Sequence, residues 1–289
     1  VGGVQQADPA VSLAVAWVGP VSAAQVKGTE IAGVPAVFEN CKGDGDPACL
    51  VHTDAASCWP ECGAMGQRIG GTAGGSIVRG LLAAAGVPNG ELIIGSFSAG
   101  HEIAKPALME PADRALVRAV MLADSTYTAW ANQAAGTAAP PEGYVRYALD
   151  AATSPDKLFV ATASSVGIKY PSSVAGMLVL MSEVERRSGL KFSQVSGLPG
   201  VTPAPLRAWR LGNVWLCDYG TSVPHGDHAM KLAPQAWRNV LMPFLGGAPA
   251  APPDDVGIGP LAKLVLFGIG TGLGYAGLRA ARKYLERRT

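Results

Sequence analysis

Six short runs rich in branched and aromatic residues recur along the chain, with stretches of helical pattern between them. They are VSLAVAWV (11–18), GVPAVFENC (33–41), ELIIG (91–95), VRAVMLAD (117–124), KLFVATAS (157–164) and NVWLCDYG (213–220). Compact apolar runs of this length, bounded by turn residues, belong to strands buried on both faces. Helical patterns fall at 76–85, from residue 98 with Pro106 as a limit or kink, and at 144–151, 174–189 and 234–247. Residues 131–143, rich in Ala, Gly and Pro, read as a loop. Strands that alternate with helices imply a parallel sheet joined by right-handed crossovers. The expected fold class is therefore α/β, a mostly parallel sheet of about six strands flanked by helices.

Composition agrees with a packed domain. Hydrophobic residues make up 48% of the 289 and charged residues 16%, which supports a large core and argues against disorder. A net charge of +1 supplies no basic stripe, so nucleic acid is not an expected partner. The charge is uneven, because six of the basic residues and a single acid fall within 261–289. The expected organisation is a domain over 1–247, a proline-rich linker at 248–257, and a glycine-rich apolar helix with a basic end at 258–289.

The stretch LAKLVLFGIGTGLGYAGL (261–278) is nearly uncharged. As a helix its 18 residues span about 27 Å, close to a bilayer core. Its glycines suit close helix contact, so oligomerisation through this segment is a further expectation. The basic cluster behind it would remain cytoplasmic, leaving the body membrane-associated and extracytoplasmic. A glycine-rich helix packed on the domain or lying in a membrane surface is the alternative.

Cys41, Cys49, Cys58 and Cys62 sit together in a stretch with little hydrophobic pattern, the cysteine-rich loop at 41–62. Two disulfides are expected there, with all three pairings open. The gaps of seven, eight and three residues miss the paired short spacings of common zinc sites, and no metal or cofactor is expected. Cys217 lies in an apolar run and reads as a small buried hydrophobe.

The strongest chemical signal is LIIGSFSAGH, residues 92–101. A buried strand runs into Ser98, small residues flank it, and a helical pattern follows. A sharp strand-to-helix turn lifts a serine oxygen clear of the sheet, small neighbours permit strained backbone, and the following helix directs free N–H groups toward a developing oxyanion. The segment resembles the nucleophile elbow of the α/β-hydrolase superfamily. Gly100 matches the glycine two after the serine, while Ser96 stands where the first glycine is usual.

A second segment, VPHGDHAMKLAPQAWRNVLMPFL (223–245), resembles the superfamily's ending, in which a histidine lies between the last strand and the last helix. His228, directly before the expected helix, is the first choice as base and His225 the second. His101 is set aside as a residue of the helix after the nucleophile, and His52 as a residue of the cysteine loop. The resemblance places the orienting acid after the strand preceding the last one, but that loop, ATASSVGIKYPSS (161–173), has no carboxylate. Asp124, at the end of the fourth run, takes the role instead, ahead of Asp156 and Asp218; Asp227 lies too close to the histidines in sequence. The backbone N–H of Ala99 is the expected first oxyanion donor, with Val18 or Gly19 as the second. The glycines at 70–75 lack the ending of a phosphate loop and read as the entrance to a helix.

These resemblances imply a serine hydrolase acting on a small-molecule or lipid-like ester, less readily an amide, through Ser98, His228 and Asp124. The alternatives are a non-catalytic binding module on the same fold, and a membrane or assembly protein whose tail is the main function.

Overall fold

The computed structural model describes residues 13–19 and 36–40 as backbone strands, and residues 74–84, 87–166 and 170–246 in full. Among the described residues the strands are β1 (Leu13–Gly19), β2 (Ala36–Asn40), β3 (Glu91–Phe97), β4 (Val117–Ala123), β5 (Trp130–Asn132), β6 (Thr137–Ala138), β7 (Leu158–Ala163), β8 (Ser193–Val195), β9 (Arg207–Leu211) and β10 (Val214–Asp218). The helices are α1 (Ile77–Ala84), α2 (His101–Ala107), α3 (Pro111–Ala115), α4 (Glu142–Thr153) and α5 (Ser173–Ser188). A last helical run, α6, covers residues 225–244 and alternates α and π turns.

The six apolar runs pair in parallel in the order β2-β1-β3-β4-β7-β10. The fold class is therefore α/β with a mostly parallel sheet. The sheet is wider than expected, because β9 and β8 add two antiparallel strands beyond β10. A small hairpin, β5–β6, occupies part of the stretch expected to be loop.

Alternation along each strand explains why the apolar runs are continuous. Leu92 and Ile94, Val120 and Leu122, and Phe159 and Ala161 face a layer built from α1, α2, α4 and α5. Ile93, Met121, Val160 and Cys217 face the opposite way, onto Leu232, Ala236, Val240 and Leu241 of α6. Each fully buried aliphatic side chain contributes roughly 1.5–3 kcal/mol, so both layers are needed to hold the sheet. Cys217 is buried as expected of a small hydrophobe, and burial pushes its thiol up to about 12.

Local signals set the helix ends. Ser172 caps α5 by accepting from the Ala175 amide at 3.2 Å, and Gly189 closes the helix in the left-handed region at φ 72°. Gly176 in its first turn abuts the Thr126 carbonyl so closely that a Cβ there would lie 1.9 Å from the oxygen. That contact seats α5 against the segment following β4.

The cysteine-rich loop, the linker and the tail lie outside the described residues, and so do Cys41, Cys49, Cys58, Cys62 and His52. Among the described residues no helix is long and apolar enough to cross a membrane.

Candidate functional site

The chain order reverses direction at β1: β2 lies on one side of it, β3 and the later strands of the same sheet on the other. In open parallel sheets, ligands bind outside the carboxyl ends of strands at such a switch point. Ser98 directly follows β3, and Val18 of β1 is in register with Ser96 of β3, which sets Gly19 level with Phe97. Ser98 and Gly19 thus stand at the carboxyl ends of the neighbouring strands β3 and β1, at the switch point.

Among the described residues, Ser98 (φ 51°) and Asp124 (φ 47°) are the only non-glycine residues with positive φ. Each follows the last residue of its strand, β3 and β4, and the two strands are neighbours. Such a conformation costs on the order of 1–3 kcal/mol and persists only where surrounding contacts over-determine it. At Ser98 the chain passes from β3 through one tight turn, Ser98–Gly100, into α2.

Asp124 is fully buried and densely held. Its carboxylate accepts from the Ser164 amide at 2.7 Å, the Ser164 hydroxyl at 2.6 Å and the Ser173 hydroxyl. Its fourth partner is His225, whose Nδ1 lies 2.6 Å from Oδ2. Burial works to raise the Asp124 carboxyl, but the His225 hydrogen bond and the nearby histidine charges outweigh it and hold the group at about 2. The carboxylate is therefore ionised at neutral pH. Because it only accepts, Nδ1 of His225 carries a proton, and in the neutral form of the ring the lone pair is on Nε2.

The His225 ring stacks on Phe97, the residue before Ser98, with centroids 4.7 Å apart and planes at 29°. Tyr127 meets it edge-on at 6.2 Å and in turn contacts Tyr170 at 5.6 Å. The histidine side chain is 35% exposed, so it sits at the mouth of this cluster rather than under it.

His228 is placed differently. It was expected before the last helix, yet α6 begins at His225, and His228 lies a turn inside. Pro224, with its fixed φ of −59°, is the residue at the helix entrance and the signal that could have moved the boundary. His228 is fully buried, shares a hydrogen bond of 2.9 Å between Nδ1 and the Thr162 hydroxyl, and has its Nε2 buried without a hydrogen-bond partner. Burial lowers its pKa, against the pull of the Asp124 charge. The hydrogen bond to Asp124 is thus made by His225 and not by His228.

The other acids are occupied elsewhere. Asp218 pairs with Arg207 across the β9–β10 hairpin at 2.5 Å, Asp227 with Lys231 at 2.6 Å, and Asp156 lies 69% exposed near Arg118. His101 is buried beneath the turn, with Nδ1 2.9 Å from the Ser98 carbonyl and Nε2 2.7 Å from Glu102. Sequence reasoning passed over Ser164 and Ser173, which hold the acid. Lone serines at the end of a strand and the start of a helix give no pattern from which such a role is legible.

Asp124 is thus joined to His225, whose ring lies on Phe97 beside the strained Ser98, while among the described residues no hydrogen bond joins Ser98 Oγ to His225 or His228. Among the described residues, no group of three or more histidines, cysteines or carboxylates is arranged to hold a metal ion. Comparison with protein-family models, with curated proteins and with solved structures found no match to this chain.

Proposed function

We propose that the chain is a serine hydrolase of the α/β-hydrolase type that cleaves esters through Ser98, His225 and Asp124. The observation that carries this reading is the Asp124–His225 hydrogen bond, delivered to the sheet edge where Ser98 adopts positive φ. Ser98 Oγ attacks the ester carbonyl while Nε2 of His225 takes its proton. The imidazolium so formed is stabilised by Asp124, which also keeps the ring in the required tautomer. The oxyanion is held by the Ala99 N–H, with a second donor from the Gly19 end of β1. His225 returns the proton to the leaving alcohol. A water then repeats the sequence on the acyl-enzyme, releasing the acid and restoring Ser98.

The change of base from His228 to His225 follows from the tautomer argument. A base must keep one nitrogen for the proton and have its other nitrogen oriented by an acid, and His225 meets the second demand directly. His228, buried on Thr162, serves the packing of α6 on the sheet.

In this reading the body lies outside the cytoplasm, tied to a membrane by residues 258–289 and braced by disulfides among Cys41, Cys49, Cys58 and Cys62. Deleting 258–289 is expected to release an active, soluble enzyme from membranes.

The test is hydrolysis of p-nitrophenyl esters of increasing acyl length by wild type and Ser98→Ala. Turnover by wild type, lost in the variant while the fold is kept, is the expected result. Equal background rates across the whole series would overturn the hydrolase reading.

A further inference from the structure

The Ser98 carbonyl is gripped by two buried side chains. His101 Nδ1 lies 2.9 Å from it, and because a carbonyl can only accept, Nδ1 donates. The Ser125 hydroxyl donates to the same oxygen at 2.9 Å. With its single proton committed there, Ser125 accepts in turn from Ser96, whose Oγ lies 2.7 Å away. Ser96, Ser125 and His101 are all fully buried. The serine standing where the elbow pattern usually has glycine therefore takes part in a polar chain that ends on the nucleophile's own backbone.

The Ser98 C=O and the Ala99 N–H belong to one peptide unit. That unit is planar, and its two polar groups point in opposite directions. Whatever fixes the carbonyl also aims the amide at its other end. We infer that His101 and Ser125 are positioning residues that aim the Ala99 N–H at the oxyanion, by clamping the Ser98 carbonyl from behind. The inference rests on the hydrolase reading, since the Ala99 amide matters only if an oxyanion forms next to it.

Glu102 and Lys105 complete the support. Glu102 Oε1 lies 2.7 Å from His101 Nε2 and 3.4 Å from Lys105 Nζ, which also donates to the Tyr127 carbonyl at 3.3 Å. Burial works to raise the Glu102 carboxyl, but His101 and Lys105 outweigh it and hold it at about 2. With a carbonyl at Nδ1 and a carboxylate beside Nε2, both of which only accept, the pairing asks for the charged ring, against which the burial of His101 works.

The test compares His101→Asn, His101→Gln, His101→Leu and Ser125→Ala with wild type. The readouts are kcat and KM on p-nitrophenyl butyrate and inhibition by an alkyl trifluoromethyl ketone, which forms a tetrahedral oxyanion on an active serine. The Asn amide nitrogen takes the place of Nδ1, whereas that of Gln takes the place of Nε2. Expected is a fall in kcat of about 10- to 100-fold for Leu, Gln and Ser125→Ala, as for the loss of oxyanion stabilisation, with KM within about 3-fold. The ketone should weaken by the same factor, and Asn should recover most of the loss. Ser125→Ala removes one buried oxygen and keeps the test open should the His101 variants fold poorly. If wild type turns over while Asn and Gln behave alike, or if KM moves and ketone affinity does not, the clamp is overturned alone. A wild type inert to both ester and ketone overturns the hydrolase reading and the clamp with it.

Discussion

Three turns of this chain adopt nearly the same left-handed backbone and put it to opposite uses. Gly212, in the hairpin between β9 and β10, has φ 55°; Ser98 and Asp124, at the ends of β3 and β4, have φ 51° and 47°. In the hairpin a glycine is required twice over, because a Cβ would also meet the Ala152 carbonyl oxygen at 2.3 Å. At the two strand ends a side chain is present despite its cost. Asp tolerates this region better than Ser does, so the larger strain falls on Ser98. The hairpin is shaped for folding, whereas the strained side chains at the sheet edge are, in the proposed reading, kept for Oγ and the carboxylate. The compensation is visible: three donors besides His225 hold Asp124, and two side-chain donors hold the Ser98 carbonyl.

The sharpest way to break this contrast is to remove the chemistry at the edge. His225→Ala is expected to lower kcat on an active ester by about 10⁴-fold, close to the loss from Ser98→Ala, because residues acting as one unit fail together. His228→Asn, which keeps a donor toward Thr162, should cost no more than about 10-fold. Steady-state kinetics on the three variants decides the matter, and a larger loss at His228 than at His225 would exchange their roles.

The hairpin should respond in stability alone. Gly212→Ala is expected to destabilise the domain by about 2–4 kcal/mol through combined strain and contact with Ala152, with kcat unchanged. Urea unfolding measures this, and a loss under about 0.5 kcal/mol would show that the turn relaxes freely.

Acid should separate the two histidine neighbourhoods. The Asp124 carboxyl is held at about 2, below its unfolded value near 4, so its contribution is complete above about pH 4 and disappears as pH falls through about 2. The difference corresponds to about 2 kcal/mol. His228 is also lowered, by burial, so the unfolded chain takes up that proton first. Its contribution is complete above about pH 6.5 and declines as pH falls below it. Asp124→Asn should flatten the stability profile between pH 4 and 2, and His228→Asn should flatten it just below pH 6.5. Stability curves measured against pH test both slopes.

The smallest effect has the opposite sign. Ser98→Gly should be about 1 kcal/mol more stable than Ser98→Ala, since glycine relieves the left-handed strain that alanine retains. Equal stability would mean that the corner carries no strain.

How much of this was legible in the sequence depended on the kind of force involved. The parallel strands could be read because burial on two faces leaves dense apolar runs such as LIIG and AVML, which few other structures require. The antiparallel strands β8 and β9 escaped notice because they are short and partly exposed, and Arg207 and Arg210 interrupt the pattern. The pair Gly212-Asn213 between RAWRL and VWLCD was the available hint of a hairpin. Ser98 and Asp124 stood out through their places at strand ends. The histidine that bonds Asp124 did not, because His225 and His228 are one helical turn apart. Only the entry of α6 at Pro224 decides which ring reaches Asp124 and which is buried on Thr162. The hydrogen-bonded chain through Ser96 and Ser125 was equally invisible, since it ends on a backbone oxygen rather than on a side chain with a pattern of its own.

A fluorophosphonate probe followed by peptide mapping tests the pairing of serine and histidine most directly, because phosphonylation requires a hydroxyl activated by a neighbouring base. The label should appear on Ser98 in wild type and in His228→Asn, and on no serine in His225→Ala. Labelling of Ser98 that survives His225→Ala and disappears in His228→Asn would contradict the assignment of His225 as the base.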